Sequence, residues 1–171
     1  MRTMAGYAAA LEAGHELGDY WVQTDHQAAT KGLPGMTGSI ACAKHVLSYT
    51  ATQAVCVIGA ALATGAKPRW GRVALGLAVS AVTHYAADRR EHGLMYPLAR
   101  AMPGKAKFLE LGVPRSGTYT IANRNGPLIS INTEYDDNPS LGTGAWALDQ
   151  AWHKAFGVFL PAIIMAGRSD A

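Results

Sequence analysis

Residues 45–66, HVLSYTATQAVCVIGAALATGA, run for 22 positions without an aspartate, glutamate, lysine or arginine. A helix needs about 20 predominantly apolar residues, at roughly 1.5 Å of rise each, to cross a bilayer. This run is therefore the foremost transmembrane candidate, and it sets the class of the protein as helical. Lys67, Pro68, Arg69 and Arg72 close it. Upstream, residues 4–24 read as a first helix with Leu11, Leu17, Tyr20 and Trp21 available for a packed or lipid face. Gly32, Pro34, Gly35 and Gly38 predict a loop between the two. Downstream, residues 73–87 form a third run of 15 uncharged positions ending in Asp88, Arg89 and Arg90. That is short for a span unless tilting or a thinned bilayer accommodates it. Residues 145–166 form a fourth run, polar at first and then apolar through FGVFLPAIIMAG, where Pro161 predicts a kink. The expected fold is all-α: a four-helix up-down bundle, membrane-embedded, with a long mixed insertion between helices three and four.

The whole chain, 171 residues, is read as one helical domain large enough to bury a core. Charged residues make up 16% of it, against roughly 25% in an average soluble protein. The mean hydropathy of +0.04 is low for a polytopic membrane protein. A net charge of +3 from scattered basic residues gives nucleic acid no patch to meet, so no nucleic-acid partner is expected. Cys42 and Cys56 fall on one predicted helix about 21 Å apart at ~1.5 Å per residue, too far to be joined. Both are expected to be reduced packing residues. No basic segment followed by a long apolar one opens the chain, so no cleaved signal peptide is expected.

Residues 89–144 are expected to be an inserted polar subdomain or lid, since a long segment of this kind usually covers or selects. MYPLARAM and KAKFLELG suit short amphipathic helices. TYTIANRNGPLISINTEY suits a hairpin with its turn at Asn125 and Gly126. Ser116 lacks the strand, elbow and helix of a hydrolase nucleophile. Arg89, Arg90, Arg115 and Arg124 are candidates to meet a phosphate or carboxylate, with a solvated loop face as the default for each.

The chemistry lies in three pairs spaced by four residues: His15 with Asp19, His84 with Asp88, and Asp149 with His153. On a helix such side chains lie one above the other, so each pair aligns a nitrogen with an oxygen. His45 stands at the start of the second apolar run. In an up-down bundle the end of helix one, the start of two, the end of three and the start of four share one end. His15, Asp19, His45, His84, Asp88, Asp149 and His153 therefore converge by topology, as ligands for a divalent metal, with zinc or manganese expected. A single His and Asp at this spacing is usually a surface pair, and a buried polar network without metal is the rival reading. Gln23 and Gln150 lie close enough in sequence to support the ligands or a substrate. His26 is expected in the loop and His92 at the surface.

HELGDYWVQTDHQAATK, the isolated histidine of KHVLSYT, THYAADRR and the late LDQAWH together resemble the DUF3307 family of small helical, mostly membrane-associated bacterial and phage proteins. The resemblance covers roughly the first 90 residues and the last 25 of the chain. It implies a polytopic membrane protein of uncharacterised function, and it carries His15, Asp19, Gln23, His45, His84, Asp88, Asp149, Gln150 and His153. The chain departs from the family pattern in its weaker apolar runs and its large insertion.

The expected function is a membrane-associated metal-dependent hydrolase. Asp149 is expected as ligand or general base, His45 as ligand or proton shuttle, and membrane lipid as partner. A phosphorylated or ester-containing substrate is expected, and oligomer formation is left open. Positive-inside counting places the polar end on the cytoplasmic side. The alternatives are a non-enzymatic membrane or phage accessory protein whose polar cluster is structural, and a soluble helical regulator.

Overall fold

The computed structural model describes residues 3–111, 115–121, 129–135 and 143–167, the two middle stretches by their backbone alone. Helices dominate. The first, α1 (Met4–Leu17), opens on Thr3, whose hydroxyl accepts from the Gly6 N–H at 3.2 Å. It widens into a π-helical turn over Gly18–Val22. The chain then turns extended at Gln23 and starts α2 (Asp25–Thr30) through a capping box between Thr24 and Gln27.

The second expected helix is longer than its apolar run. α3 spans Gly35–Thr64, so residues 35–44, expected partly as a loop, are helical. His45 stands ten residues into α3 rather than at its start. Weak helix formers, two glycines with threonine and serine, hide this extension in the sequence. Tertiary contact supplies what propensity lacks. The Arg89 guanidinium passes so close to Gly38 that a Cβ there would meet it at 2.3 Å. Arg89 itself donates through Nη1 to the carbonyls of Lys31 and Leu33 at 2.7 and 2.9 Å. At the far end, Gly65 adopts a left-handed φ of 62° and stops the helix, as glycine does without Cβ strain.

α4 covers Trp70–Asp88 and is followed by a 3₁₀ turn at Arg90–His92, then α5 (Met95–Ala101) and α6 (Lys105–Leu109). The expected hairpin is present: β1 (Arg115–Ile121) pairs antiparallel with β2 (Ile129–Tyr135), Arg115 opposite Tyr135 and Ile121 opposite Ile129. Its expected turn at Asn125 and Gly126, with Arg124, lies outside the described residues. The last run is divided in three: α7 (Gly144–Trp152), a π-helical stretch over His153–Phe159, and α8 (Leu160–Ala166). Pro161 stands at the start of α8, just after the widened ladder. The kink expected there therefore takes the form of a π segment, which absorbs the missing N–H and the ring of proline.

The chain divides into two compact units, Met1–Leu98 with Asp149–Ala171, and Ala99–Leu148. In the first, α1 packs on α3 and α8, α3 on α4, and α4 on α8 and the π stretch before it. The apolar core gathers Tyr7, Ala10, Leu11, Val57, Val73, Val158, Ala162 and Met165. α1 approaches α3 backbone to backbone: a Cβ on Gly14 would lie 2.6 Å from Gln53 Cα, so only glycine allows this contact. In the second unit, the Gly144 N–H donates to the Leu111 carbonyl at 2.7 Å.

Among the described residues, α3 alone is long and apolar enough to cross a membrane. Only 28% of its most apolar stretch is buried, and Leu47 and Leu62 are 74% and 78% exposed. Cys42 and Cys56 both lie on α3 and are free.

Candidate metal centre

Four stripes of side chains, each advancing four residues per step, build the polar half of the first unit. They are Leu11, His15 and Asp19; His45, Tyr49 and Gln53; Ser80, His84 and Asp88; and Asp149, His153 and Gly157. Residues so spaced face one way along a helix, so each stripe turns one polar rank after another toward the other three. His15, His45, His84 and His153 are all buried, at no more than 1% exposure.

The donors converge. Nε2 of His45 and Nε2 of His84 lie 2.9 Å apart. Asp88 Oδ2 is 3.2 Å from the first and 3.1 Å from the second. Asp19 Oδ1 is 3.2 Å from His45 Nε2 and 3.5 Å from His84 Nε2. In tetrahedral zinc sites, ligand atoms about 2.0–2.2 Å from the ion stand roughly 3.3–3.6 Å from one another. The His45 and His84 nitrogens hold nearly that spacing with the oxygen of either carboxylate in turn, at 2.9–3.5 Å.

The remaining partners orient this set. His15 places Nδ1 3.2 Å from Asp19 Oδ2. His153 places Nδ1 2.8 Å from the Asp149 carbonyl and 3.3 Å from its Oδ2, which leaves Nε2 facing Asp88 Oδ1 at 3.9 Å. A carboxylate or carbonyl on one imidazole nitrogen sets the tautomer and frees the other as a ligand. Three overlapping groups result: His15, Asp19 and His84; His45, His84 and Asp88; and Asp88, Asp149 and His153. His84 and Asp88 each belong to two of them.

Several of these atoms are buried without a hydrogen-bond partner: both ring nitrogens of His15, Asp19 Oδ1, Asp88 Oδ2, His153 Nε2, and Nδ1 of His45 and of His84. Buried polar groups are ordinarily satisfied, and leaving one unmade costs about 1–3 kcal/mol. Among them, Asp19 Oδ1 and Asp88 Oδ2 lie beside the Nε2 atoms of His45 and His84, an arrangement that fits a cation which these histidines and carboxylates would hold.

Electrostatics favours ionised carboxylates. Burial alone would raise Asp19, but the close approach of His45 and the charges of His84, His153 and His15 reverse this and hold it below its ordinary value. Burial presses on Asp88 too, and His84, His45 and Lys31 hold it well below. Lys31 was not legible in the sequence as a site residue, yet its Nζ lies 2.8 Å from Asp88 Oδ1. It stands at the end of α2, where no periodicity links it to the helices it meets.

All seven residues expected to converge do so. Gln23 is half-buried with its side-chain nitrogen unpaired, and Gln150 is half-buried. His26 is exposed on α2 rather than in a loop, and His92 is exposed as expected. Arg89, an anion-binding candidate by sequence, is 5% exposed and spends Nη1 on main-chain carbonyls. Tyr49, Gln53 and Ser80 were missed, although one four-residue step from His45 reaches Tyr49, a second reaches Gln53, and one step back from His84 reaches Ser80.

No protein-family model, curated protein or solved structure matches the chain.

Proposed function

We propose that this is a membrane-associated, metal-dependent hydrolase. In this reading the first unit is a four-helix up-down bundle, and His45, His84, Asp19 and Asp88 would hold one divalent cation at its polar end. The observation that carries the reading is that His45 Nε2 and His84 Nε2 stand at ligand spacing with Asp19 Oδ1 and with Asp88 Oδ2 in turn, both of these oxygens buried without a hydrogen-bond partner. Charge supports it as well. Asp19, Asp88 and Asp149 bring three carboxylates to the histidines, with Lys31 beside Asp88, an anionic lining suited to a cation. Imidazole with carboxylate at tetrahedral spacing favours zinc over manganese, which prefers six oxygen-rich ligands. The resemblance to the DUF3307 family belongs to the same reading.

A bound dication supplies Lewis-acid polarisation of an ester or phosphoryl oxygen and acidifies water. The chain's own residues do the rest. Asp149, the most exposed carboxylate of the site at 27% of its side chain, accepts the proton of the attacking water. The same Asp149 carboxyl returns that proton to the leaving oxygen, and His153, whose Nδ1 lies 3.3 Å from Asp149 Oδ2, holds the carboxylate in place. Lys31 ties up Asp88 Oδ1, so Asp88 offers the site a single oxygen. The exposed apolar face of α3, with Leu47, Val55 and Leu62, supports seating in lipid. A phosphorylated or ester-containing lipid is accordingly the substrate class.

Elemental analysis of detergent-purified protein tests the centre. About one equivalent of transition metal is expected, lost in the His84→Ala, Asp88→Ala double variant. Asp149→Asn is expected to keep the metal and lose hydrolysis of ester or phosphoester lipid. A folded wild type without metal would return the cluster to a structural role and remove the hydrolase reading.

A further inference from the structure

One turn beneath the histidines lies a second buried polar rank, and it is closed. Gln53 and Ser80 are both 0% exposed. Gln53 Nε2 donates to the Tyr49 hydroxyl at 2.9 Å and to the carbonyls of Leu11 and Gly157 at 3.3 Å each. Ser80 Oγ lies 2.8 Å from Gln53 Oε1 and 2.7 Å from the Gly157 carbonyl. Gly157 belongs to the π-helical stretch, whose changed ladder leaves carbonyls free for side-chain donors. The neighbouring Phe156 carbonyl likewise accepts from Thr83 at 3.0 Å.

This rank reaches the metal centre by two routes. Tyr49 stands directly between: its hydroxyl is held from below by Gln53, and its ring lies against His84, with centroids 3.8 Å apart. The same ring meets His15 edge-on at 5.9 Å and His45 at 6.2 Å. It is thus a floor shared by three of the four histidines. The second route is main-chain. Gly157 is one turn after His153, so the hydrogen bonds it receives from Gln53 and Ser80 anchor the turn that carries that imidazole.

We propose that Ser80, Gln53 and Tyr49 form a positioning layer, which sets the ring orientation of His84 and the placement of His153 and so tunes metal affinity and geometry. None of the three touches the ion. The assignment rests on the metal centre proposed above and deepens it. Outer partners of metal ligands typically change affinity 10–100-fold when removed, because a free imidazole must then be ordered by the metal itself.

The test uses full-length protein loaded with Co²⁺, whose visible spectrum reports ligand number and geometry. Ser80→Ala, and Tyr49→Phe as a second variant that keeps the ring, are each compared with wild type. We expect Co²⁺ affinity to fall by about 10-fold or more in Ser80→Ala, and the visible bands to shift in both variants. If both fold and are merely less heat-stable, with affinity within twofold of wild type and unchanged bands, the layer is only structural and the inference is overturned. A wild type that takes up no Co²⁺ overturns the metal centre itself, which separates the two failures.

Discussion

Two adjoining ranks of the same helices are equally dry and yet opposite in their hydrogen bonding. The lower one, Gln53 and Ser80 with the carbonyls of Leu11 and Gly157, satisfies its side chains within itself. In the upper one, the histidines with Asp19 and Asp88, atoms approach to 2.9–3.5 Å while many of them lack a hydrogen-bond partner. Burial and polarity therefore do not distinguish a structural network from a ligand site. What distinguishes them is whether donors meet acceptors. Serine and glutamine each carry both, and complement one another and the main chain. Each neutral imidazole brings one N–H and one lone pair, so wherever a lone pair faces a carboxylate two acceptors meet, as a shared cation would allow.

The comparison is open to attack at several levels. The largest expected effect is on ion binding: His84→Ala should weaken metal affinity by more than about 100-fold, beyond what loss of an outer partner produces. Equilibrium dialysis against Zn²⁺ would show it, and affinity within tenfold of wild type would place the ion elsewhere.

Next comes the apolar core, which should be energetically separate. Leu11→Ala removes a fully buried side chain and should cost about 2–5 kcal/mol in denaturant unfolding. It should leave the metal content at the wild-type level; loss of metal there would merge core and site into one region.

The sharpest contrast is between the two polar ranks in metal-free protein. Ser80→Ala removes the one hydroxyl proton within reach of both Gln53 Oε1 and the Gly157 carbonyl and should destabilise by about 1–3 kcal/mol. His15→Leu replaces a buried ring that makes no hydrogen bond, its Nδ1 only approaching Asp19 Oδ2, and should stabilise by roughly 1 kcal/mol, since apolar replacement of a poorly satisfied buried polar group is often favourable. The same sign in both variants would erase the distinction.

The smallest effect is at the surface. Thr24→Ala removes one arm of the capping box that starts α2 and should cost about 1 kcal/mol. Because α2 carries Lys31 to Asp88, a larger loss on chelation-sensitive unfolding would tie that short helix to the centre.

Much of this was legible in the sequence. The spacing of His15 and Asp19, of His84 and Asp88, and of Asp149 and His153 is local information, because a helix repeats its facing every three to four residues whatever surrounds it. An uncharged run of 22 residues likewise requires a long helix through residues 45–64. The hairpin followed from alternation and turn residues on either side of Asn125 and Gly126.

Other features arose only from the assembled chain. The helical state of residues 35–44 depends on Arg89 and Gly38 meeting, which no propensity records. Lys31 reaches Asp88 across 57 positions of sequence, and the partnership of Gln53 with Ser80 joins two helices. The π-helical stretches at Gly18–Val22 and His153–Phe159 have no period visible in composition. The sequence by itself determined which residues share a face, since that depends on backbone geometry within one helix. Only the tertiary structure decided which faces meet and which polar atoms go unpaired, because both depend on the summed packing of helices distant in the chain.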